Sequence, residues 1–525
     1  MTAAAPPLGR RGEPHKYVIA FAVVIASMMQ IIDSSIVNVA IPHMMGNLGA
    51  SLDEIAWVST GYILASVIVI PLTGFFAAYF GRKRYFVASI LIFTAASVFC
   101  GASRSLETLI FWRIVQGLGG GALVSTSQAV LFEAFPREEV GTAMALFGMG
   151  IMVGPTLGPT LGGYITDNYS WPWIFYVNVP IGILAAAMVV AYVHDHPHHE
   201  RTRHVDYWGI GLLAVSAGSL QYLLEHGQRD DWFDSGLIVA LAVVGVAGSA
   251  LLVWRELTAE RPAIDLRVLR HRQMWVGTVL GVMVSVSLFG SVFVLPVFLQ
   301  GTLRMTAWQT GMIILPGALA TAVSMAFSGR ISRVVDARLL VASGSMFFFA
   351  SMWMLSRITA QAGTGDFFWP LILRGLGLGV VFVPLTTITL SGLDLREIPQ
   401  ATGVSNFFRQ LGASLGIALM ATLLVHYTQE SRAVLATHVS WYDFATRARL
   451  DQLVHAFVGR GADALTAQSR ALAVLQGQLM QQASILAFSR LYLLSGLVLV
   501  VSMPLLLLLR KPRAGAGRPG PVAAE

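Results

Sequence analysis

The sequence predicts an all-α polytopic membrane protein of about fourteen transmembrane helices, and three observations predict it. Of the 525 residues, 55% are hydrophobic and only 12% are charged, with a mean hydropathy of +0.67, a balance that no water-soluble domain of this size would tolerate. Apolar segments of about 20 residues, long enough to cross a ~30 Å hydrocarbon core, recur along the chain between polar or turn-rich breaks. The alternating pattern of a membrane barrel is absent, and a backbone in lipid must satisfy its own hydrogen bonds, so the segments read as helices.

In chain order the helices are expected near 17–41, 55–78, 85–103, 107–131, 142–165, 172–193, 207–226, 235–255, 274–299, 308–329, 338–359, 367–390, 402–426 and 485–509. Residues 1–16 and 511–525 form short tails. Residues 17–193 make a first six-helix half, 194–273 a linker with two extra helices, and 274–510 a second six-helix half that includes a long loop at 427–484. The first segment carries Asp33 and Asn38 in its outer half and lacks a small-residue cleavage site, so it reads as an uncleaved anchor.

Arg and Lys set the orientation. Arg10, Arg11, Lys16, Arg82-Lys83-Arg84, Arg201, Arg203, the run from Arg255 to Arg272, Arg330 to Arg338 and Arg510 to Arg513 fall on one side, against Arg104, Arg229, Arg304 and Arg357 in the opposite short loops. That side is expected to be cytoplasmic, with both termini on it and the long loop outside. The net charge of +7 reflects this asymmetry, and basic tails this short argue against a nucleic-acid partner. The one cysteine, Cys100, lies in an apolar segment, which excludes a disulfide framework and a thiolate metal site. The stretch from His194 to Glu200, with His204 beyond it, reads either as a solvated polar linker or as a metal-binding cluster.

The run from Gly150 to Gly163 is the strongest functional signal. Gly150, Gly154, Gly158 and Gly162 recur at helical spacing with Gly163 beside them, leaving one helix a groove into which another can pack closely, while Pro155 and Pro159 favour a bend. An internal repeat adds to it: Gly117-Leu118-Gly119-Gly120-Gly121 recurs as Gly375-Leu376-Gly377-Leu378-Gly379, and at the same offset Gly154 and Gly158 correspond to Gly412 and Gly416. Gly74, ahead of Gly81-Arg82-Lys83-Arg84, has a looser counterpart in Gly329. Two duplicated halves around a central site are what alternating access requires.

Ordered motifs then carry a family resemblance. They are Ile32-Asp33-Ser34-Ser35-Ile36-Val37-Asn38-Val39-Ala40-Ile41-Pro42, Gly74 to Arg84, Arg113-Ile114-Val115-Gln116-Gly117, the glycine and proline helix, Trp171-Pro172-Trp173-Ile174-Phe175, Asn178-Val179-Pro180-Ile181-Gly182 and Asp231-Trp232-Phe233. Over nearly its whole length the chain resembles the 14-helix drug and proton antiporter branch of the major facilitator superfamily, of the EmrB and QacA type. The resemblance implies a major facilitator fold, export of toxic compounds driven by the proton gradient with no metal or nucleotide cofactor, and a place in the inner membrane. It also implies an antiporter motif at Gly150 to Gly163 and a cytoplasmic gating loop at Gly74, Gly81, Arg82, Lys83 and Arg84. Ala78 stands where that loop usually carries an acid, leaving the basic residues to neutralise helix carbonyls or to set topology.

Asp33 is the candidate proton carrier, because a carboxylate deep in an apolar helix is costly and is usually retained for ion handling. Arg113 is its natural partner: roughly six and eight residues from the outer ends of their antiparallel helices, the two lie at similar depths at ~1.5 Å per residue. They form either a coupling pair that binds or releases a proton on separation or a permanent structural pair. Glu225, Arg490 and Glu133 sit nearer segment ends, where Glu133 is expected to face water, while Arg374 and Arg409 are embedded in contexts that suit either cavity lining or helix bracing.

The helices of the second half carry no embedded carboxylate, which disfavours dications and favours neutral, weakly acidic or amphipathic hydrophobic substrates. Candidate cavity residues are Asn38, Tyr62, Gln116, Phe289, Phe293, Arg374, Phe382, Asn406 and Arg409. The outside loop has Ala and Leu spaced for an amphipathic helix, and resemblance to EmrB-type pumps makes it either a dock for a periplasmic adaptor of EmrA type leading to an outer-membrane channel, or a segment lying on lipid. Export of an endogenous lipid or siderophore-like metabolite would use the same machinery, and a non-transporting receptor is the more distant alternative. An enzyme is disfavoured, because no convergent nucleophile, base and acid lie at membrane depth.

Overall fold

The computed structural model describes residues 13–193, 205–260, 262–332, 334–394 and 396–509, so the His194 to His204 cluster and both chain ends lie outside the described residues. Sixteen α-helices and no strands occur among them. The first seven are α1 (Glu13–Leu48), α2 (Leu52–Phe80), α3 (Arg82–Ala102), α4 (Leu106–Ala134), α5 (Val140–Asn168), α6 (Trp173–Tyr176) and α7 (Asn178–Tyr192). A hairpin follows, α8 (Tyr207–His226) and α9 (Gly236–Thr258). The remainder are α10 (Arg272–Pro296), α11 (Ala307–Ile331), α12 (Ala337–Leu355), α13 (Phe368–Leu390), α14 (Ile398–Thr437), α15 (Phe444–Val458) and α16 (Ala464–Ser502).

Eleven spans among the described residues are long and apolar enough to cross a membrane, α6 and α7 together making one of them, and a shorter apolar stretch, Val140–Met152, opens α5. Helices α4, α5 and α8 have 29, 29 and 20 residues and pack against those spans, which brings the bundle to the fourteen membrane helices expected. They are less apolar because their inward faces hold glycine, hydroxyl and amide groups, or, in α4, a charge. The face reached by Arg82, Arg255, Arg272 and Arg338 is the basic face below, and the opposite one the far face.

Glycine sets the packing inside each half. A Cβ on Gly119 of α4 would lie 2.7 Å from the backbone nitrogen of Phe93 on α3, and one on Gly377 of α13 would lie 2.8 Å from that of Phe348 on α12. Gly121 and Gly379 approach α2 and α11 in the same way, with Cβ positions 2.6 Å from the Ser66 carbonyl and from Ser324 Cβ. The repeated glycines therefore make equivalent contacts in the two halves. Serine hydroxyls add bonds to the same pairs, Ser66 donating to the Gly117 carbonyl at 3.1 Å and Ser324 to the Leu376 carbonyl at 2.8 Å.

Helix α5 runs unbroken through residues 155 and 159. Its stripe packs on α1: Gly150 against Val24, Gly154 against Ile31, Gly158 against Ser35 and Gly162 against Ile36, while a Cβ at Gly163 would meet nothing within 4 Å. Gly163 is thus not part of the groove. Gly412 and Gly416 of α14 meet Val282 and Val286 of α10, the counterpart contact in the second half.

The halves meet along two lines on the basic side, α2 with α14 and α5 with α11. A Cβ on Gly74 would lie 2.8 Å from the backbone of Gln400, Gly403 approaches the Ile70 carbonyl, Gly141 approaches Gly329, and Gly148 approaches Met325 and Phe382. The hairpin covers the first line on its far side. Thr60 of α2 donates to Glu225 of α8 at 3.3 Å, Gln221 of α8 donates to Ser414 of α14 at 2.7 Å, and Trp232 beyond α8 donates to Thr422 of α14 at 3.0 Å.

The expected outside loop at 427–484 is mostly helix instead. Helix α14 has 40 residues and α16 has 39, so at ~1.5 Å per residue each is roughly 60 Å long, about twice the hydrocarbon thickness. Both project beyond the far face, tied by Arg490 to Glu430 at 2.8 Å, with α15 packed along α16. Asp443 and Asp463 cap α15 and α16, and hydrogen bonds from Thr446 and Thr466 hold each carboxyl below its ordinary value. Hydropathy falls at residue 427 while helix propensity does not, which is why a hydropathy reading ends the helices too early.

Gly158→Val would drive its side chain into Ser35 and the α1 backbone, so a loss of about 1–3 kcal/mol is expected, while Gly163→Ala should stay within about 0.5 kcal/mol of the parent. Thermal melts in detergent check this, and equal melting temperatures for the two variants would refute the packing assignment.

Candidate functional site

The candidate site is built around Asp33, in the middle of α1 and fully buried. Arg113 of α4 donates through Nη1 to Asp33 Oδ2 at 2.6 Å, while Gln116 Nε2 and Asn178 Nδ2 donate to Asp33 Oδ1 at 2.9 and 2.7 Å. Asp33 therefore accepts three hydrogen bonds, one from a cation. Arg113 Nε donates to the Val58 carbonyl of α2 at 3.0 Å, and its guanidinium lies over the Tyr62 ring at 4.2 Å. Ser97 of α3 accepts from Gln116 and Asn178 and donates to the Phe175 carbonyl at 2.9 Å. One carboxylate thus joins α1, α2, α3, α4 and α7.

Local sequence explains the convergence. Helix α4 starts at the Ser105 cap, and Arg113 and Gln116, three residues apart, share one face. Gly117, just beyond Gln116, lets α2 approach until a Cβ there would lie 2.9 Å from the Ala65 side chain. A charged pair in hydrocarbon is tolerable only where its geometry is good and its remaining hydrogen-bonding groups are met, and Gln116, Asn178 and Ser97 supply those partners.

The expected pairing of Asp33 with Arg113 is present. Gln116 and Tyr62, expected on a cavity wall, belong to this closed network instead, at 0% and 3% exposure. Ser97 was not singled out from sequence, and Asn178 stood out only as part of a motif. A buried asparagine in an otherwise apolar helix start was the signal available; a serine in a helix gives little.

At the basic-face loop, Gly81 has φ +89°, which a side chain would strain, and makes the turn between α2 and α3. Arg82 is buried and pairs with Glu133 at the end of α4, which corrects the expectation that Glu133 faces water. Arg82 thus finds its acid on a neighbouring helix, with Ala78 in the last turn of α2. Lys83 donates to the Val190 carbonyl of α7 at 2.6 Å, Arg84 is exposed, and Gly74 lies against Gln400 across the seam.

The other expected cavity residues divide. Asn406 of α14 reaches across the seam to Ser125 and Gln128 of α4 at 3.1 and 2.7 Å. Arg409 lies over the Phe382 ring at 4.7 Å. Arg374 is buried in α13 with Nη1 unbonded among the described residues. Phe293 packs at the edge of the second-half core, Phe289 is exposed, and Asn38 is exposed and accepts from Ser59 at 3.3 Å.

Removing one partner of the buried pair leaves an uncompensated charge, so Arg113→Leu should cost about 3–5 kcal/mol, and Asp33→Leu combined with Arg113→Leu should recover much of it. Thermal melts of the single and double variants check this; additive losses would show that the two residues do not act as a pair.

Comparison with known proteins agrees with this architecture. The Major Facilitator Superfamily profile matches residues 23–417. The multidrug export protein EmrB of Escherichia coli (strain K12) is 34% identical over 504 residues, covering 96% of this chain and 97% of that protein. The fatty acid resistance protein FarB of Neisseria gonorrhoeae is 32% identical over 501 residues, covering 94% and 96%. Among solved structures, the crystal structure of the human organic anion transporter MFSD10 (TETRAN) superposes with a TM-score of 0.57 at 13% identity, over 94% of this chain and 100% of that one, a likeness of fold alone. With its helical bundle, repeated glycine contacts and full-length similarity to EmrB, the chain is a multi-pass membrane protein of the Major Facilitator Superfamily and belongs to its EmrB-like multidrug export group.

Proposed function

We propose that the protein is a proton-coupled exporter of hydrophobic, neutral or weakly acidic toxic compounds, working by alternating access between its two halves. The observation that carries the reading is the Asp33 carboxylate, sealed at membrane depth against Arg113, Gln116 and Asn178. Those partners sit on two helices other than α1, so a small shift of α1 against α4 and α7 changes the charge balance at Asp33. Separation from Arg113 would let the carboxylate take a proton, and return of Arg113 would expel it. The seam contacts at Gly74, Gly141 and Gly148 are the ones such rocking would part on the basic side.

The substrate class follows from charge. The second half presents Arg374 and Arg409 and, among the described residues, no carboxylate within its membrane helices away from their ends, which suits neutral or acidic amphipathic compounds better than dications. FarB, named for fatty acid resistance, fits this reading. The proton gradient would be the energy source, with no metal or nucleotide cofactor and no enzymatic step. In a cell with two membranes the protein would sit in the inner one with both termini cytoplasmic, and the projecting α14, α15 and α16 would offer a rigid helical surface to a periplasmic adaptor of EmrA type and through it to an outer-membrane channel.

Reconstitution with an interior pH dye tests this. A panel of hydrophobic weak acids, neutral compounds and cations should trigger compound-dependent proton movement in the parent, and Asp33→Asn should abolish it. Equal flux in both would remove Asp33 from the mechanism, and no flux with any compound would refute drug and proton exchange.

A further inference from the structure

Arg409, embedded in α14, has no ion-pair partner among the described residues. Its partner is the Phe382 ring at 4.7 Å, and no carboxylate or hydrogen-bond acceptor meets it among the described residues. It opens on a small cavity of about 20 Å³ between α4, α10, α13 and α14, lined by Gln128, Thr386, Thr389, Thr402, Ser405 and Arg409 itself. Gly281 of α10 makes room for the arginine stem, since a Cβ there would lie 3.3 Å from Arg409 Cγ. The lining includes no acid.

Four of the six polar groups lining this cavity keep a donor for it: Arg409, Gln128, Thr386 and Ser405. Asn406 Nδ2 donates to Gln128 Oε1 at 2.7 Å, which fixes that amide with its oxygen occupied and leaves Nε2 as a donor. Thr389 and Thr402 spend their hydroxyl protons on the Leu385 and Pro399 carbonyls, while Thr386 and Ser405 make no side-chain bond among the described residues and are free to donate. An always-charged guanidinium, an amide N–H and two hydroxyls face one space with no counter-charge. A half-buried guanidinium among helices with no counter-charge of its own attracts an anion from outside the chain. The volume admits about one water-sized group, and therefore a small anion or an anionic head rather than a whole drug-sized molecule.

We propose that this cavity is an anion subsite at the seam, taking a compact monovalent anion such as the carboxylate head of an amphipathic acid. It rests on the export reading only for the source of that carboxylate. Anion binding itself is measurable without transport, so a failure of proton exchange and a failure of the subsite are distinguishable.

The test is thermal stability of the purified full chain in detergent, with sodium supplied as HEPES, whose three-oxygen sulfonate head is bulkier than a carboxylate, and then as chloride, formate or octanoate. The parent should melt roughly 1–3 °C higher at saturating formate or octanoate than in HEPES, Arg409→Gln should show no such rise, and Arg409→Lys should keep part of it. Because Arg409 has no acid to leave behind, Arg409→Gln should match the parent in HEPES, which separates loss of the site from loss of the fold. Gln128→Leu, which keeps the cation, should weaken the anion response. A rise with chloride equal to that with formate and octanoate keeps the subsite and makes a free inorganic ion its occupant. A rise undiminished in Arg409→Gln, or none with any anion in the parent, overturns it.

Discussion

Helices in hydrocarbon gain little by presenting apolar side chains to one another, because lipid offers the same contact. Their association depends on backbones coming close enough for dispersion and hydrogen bonding, and here glycine makes that possible. Gly117, Gly119 and Gly121 hold α4 between α2 and α3, and Gly375, Gly377 and Gly379 hold α13 between α11 and α12. Packing this close also places polar side chains within reach of one another, which is how Asp33 can have three donors inside a bilayer.

The distribution of charge separates rigid parts from parts able to move. Ion pairs among the described residues lie within a half, within the hairpin, or between the hairpin and α2: Arg82 with Glu133, Asp33 with Arg113, Arg255 with Asp206, Arg490 with Glu430, and Arg229 with Asp53. The seam between halves is held by close glycine contacts and by neutral bonds such as those of Asn406. Breaking a neutral bond that can rebond to water or to another hydroxyl costs little, about 0.5–1.5 kcal/mol, whereas stranding a buried ion costs several. The polar bonds across the seam are therefore cheaper to exchange than the ion pairs inside each half.

Most of the fold was legible because membrane helices announce themselves by length and hydropathy, and the repeat of Gly117 in Gly375 exposed the two halves. The pairing of Asp33 with Arg113 was legible from depth alone. Side-chain direction was not: Gln116 lies three residues from Arg113, and Tyr62 four residues from Val58, whose carbonyl Arg113 meets, and only packing decides that both turn toward the pair rather than toward a cavity. The end of α14 was misread for a different reason. Beyond residue 426 the helix leaves the apolar layer but remains rich in residues that favour helix, so hydropathy and secondary structure part company there.

The position of the α8 and α9 hairpin makes the bundle unequal on its two flanks. It lies against α2 and α14 and bonds to both, through Thr60, Ser414 and Thr422, while among the described residues no helix of the hairpin packs against the α5 and α11 line. Any movement that widens the gap between α2 and α14 must detach the hairpin from one of them, so it becomes the passenger of the other. The line between α2 and α14 is thus roofed by the hairpin, and the line between α5 and α11 is not. The two flanks thereby differ in a way that twelve helices arranged in two equivalent halves would not.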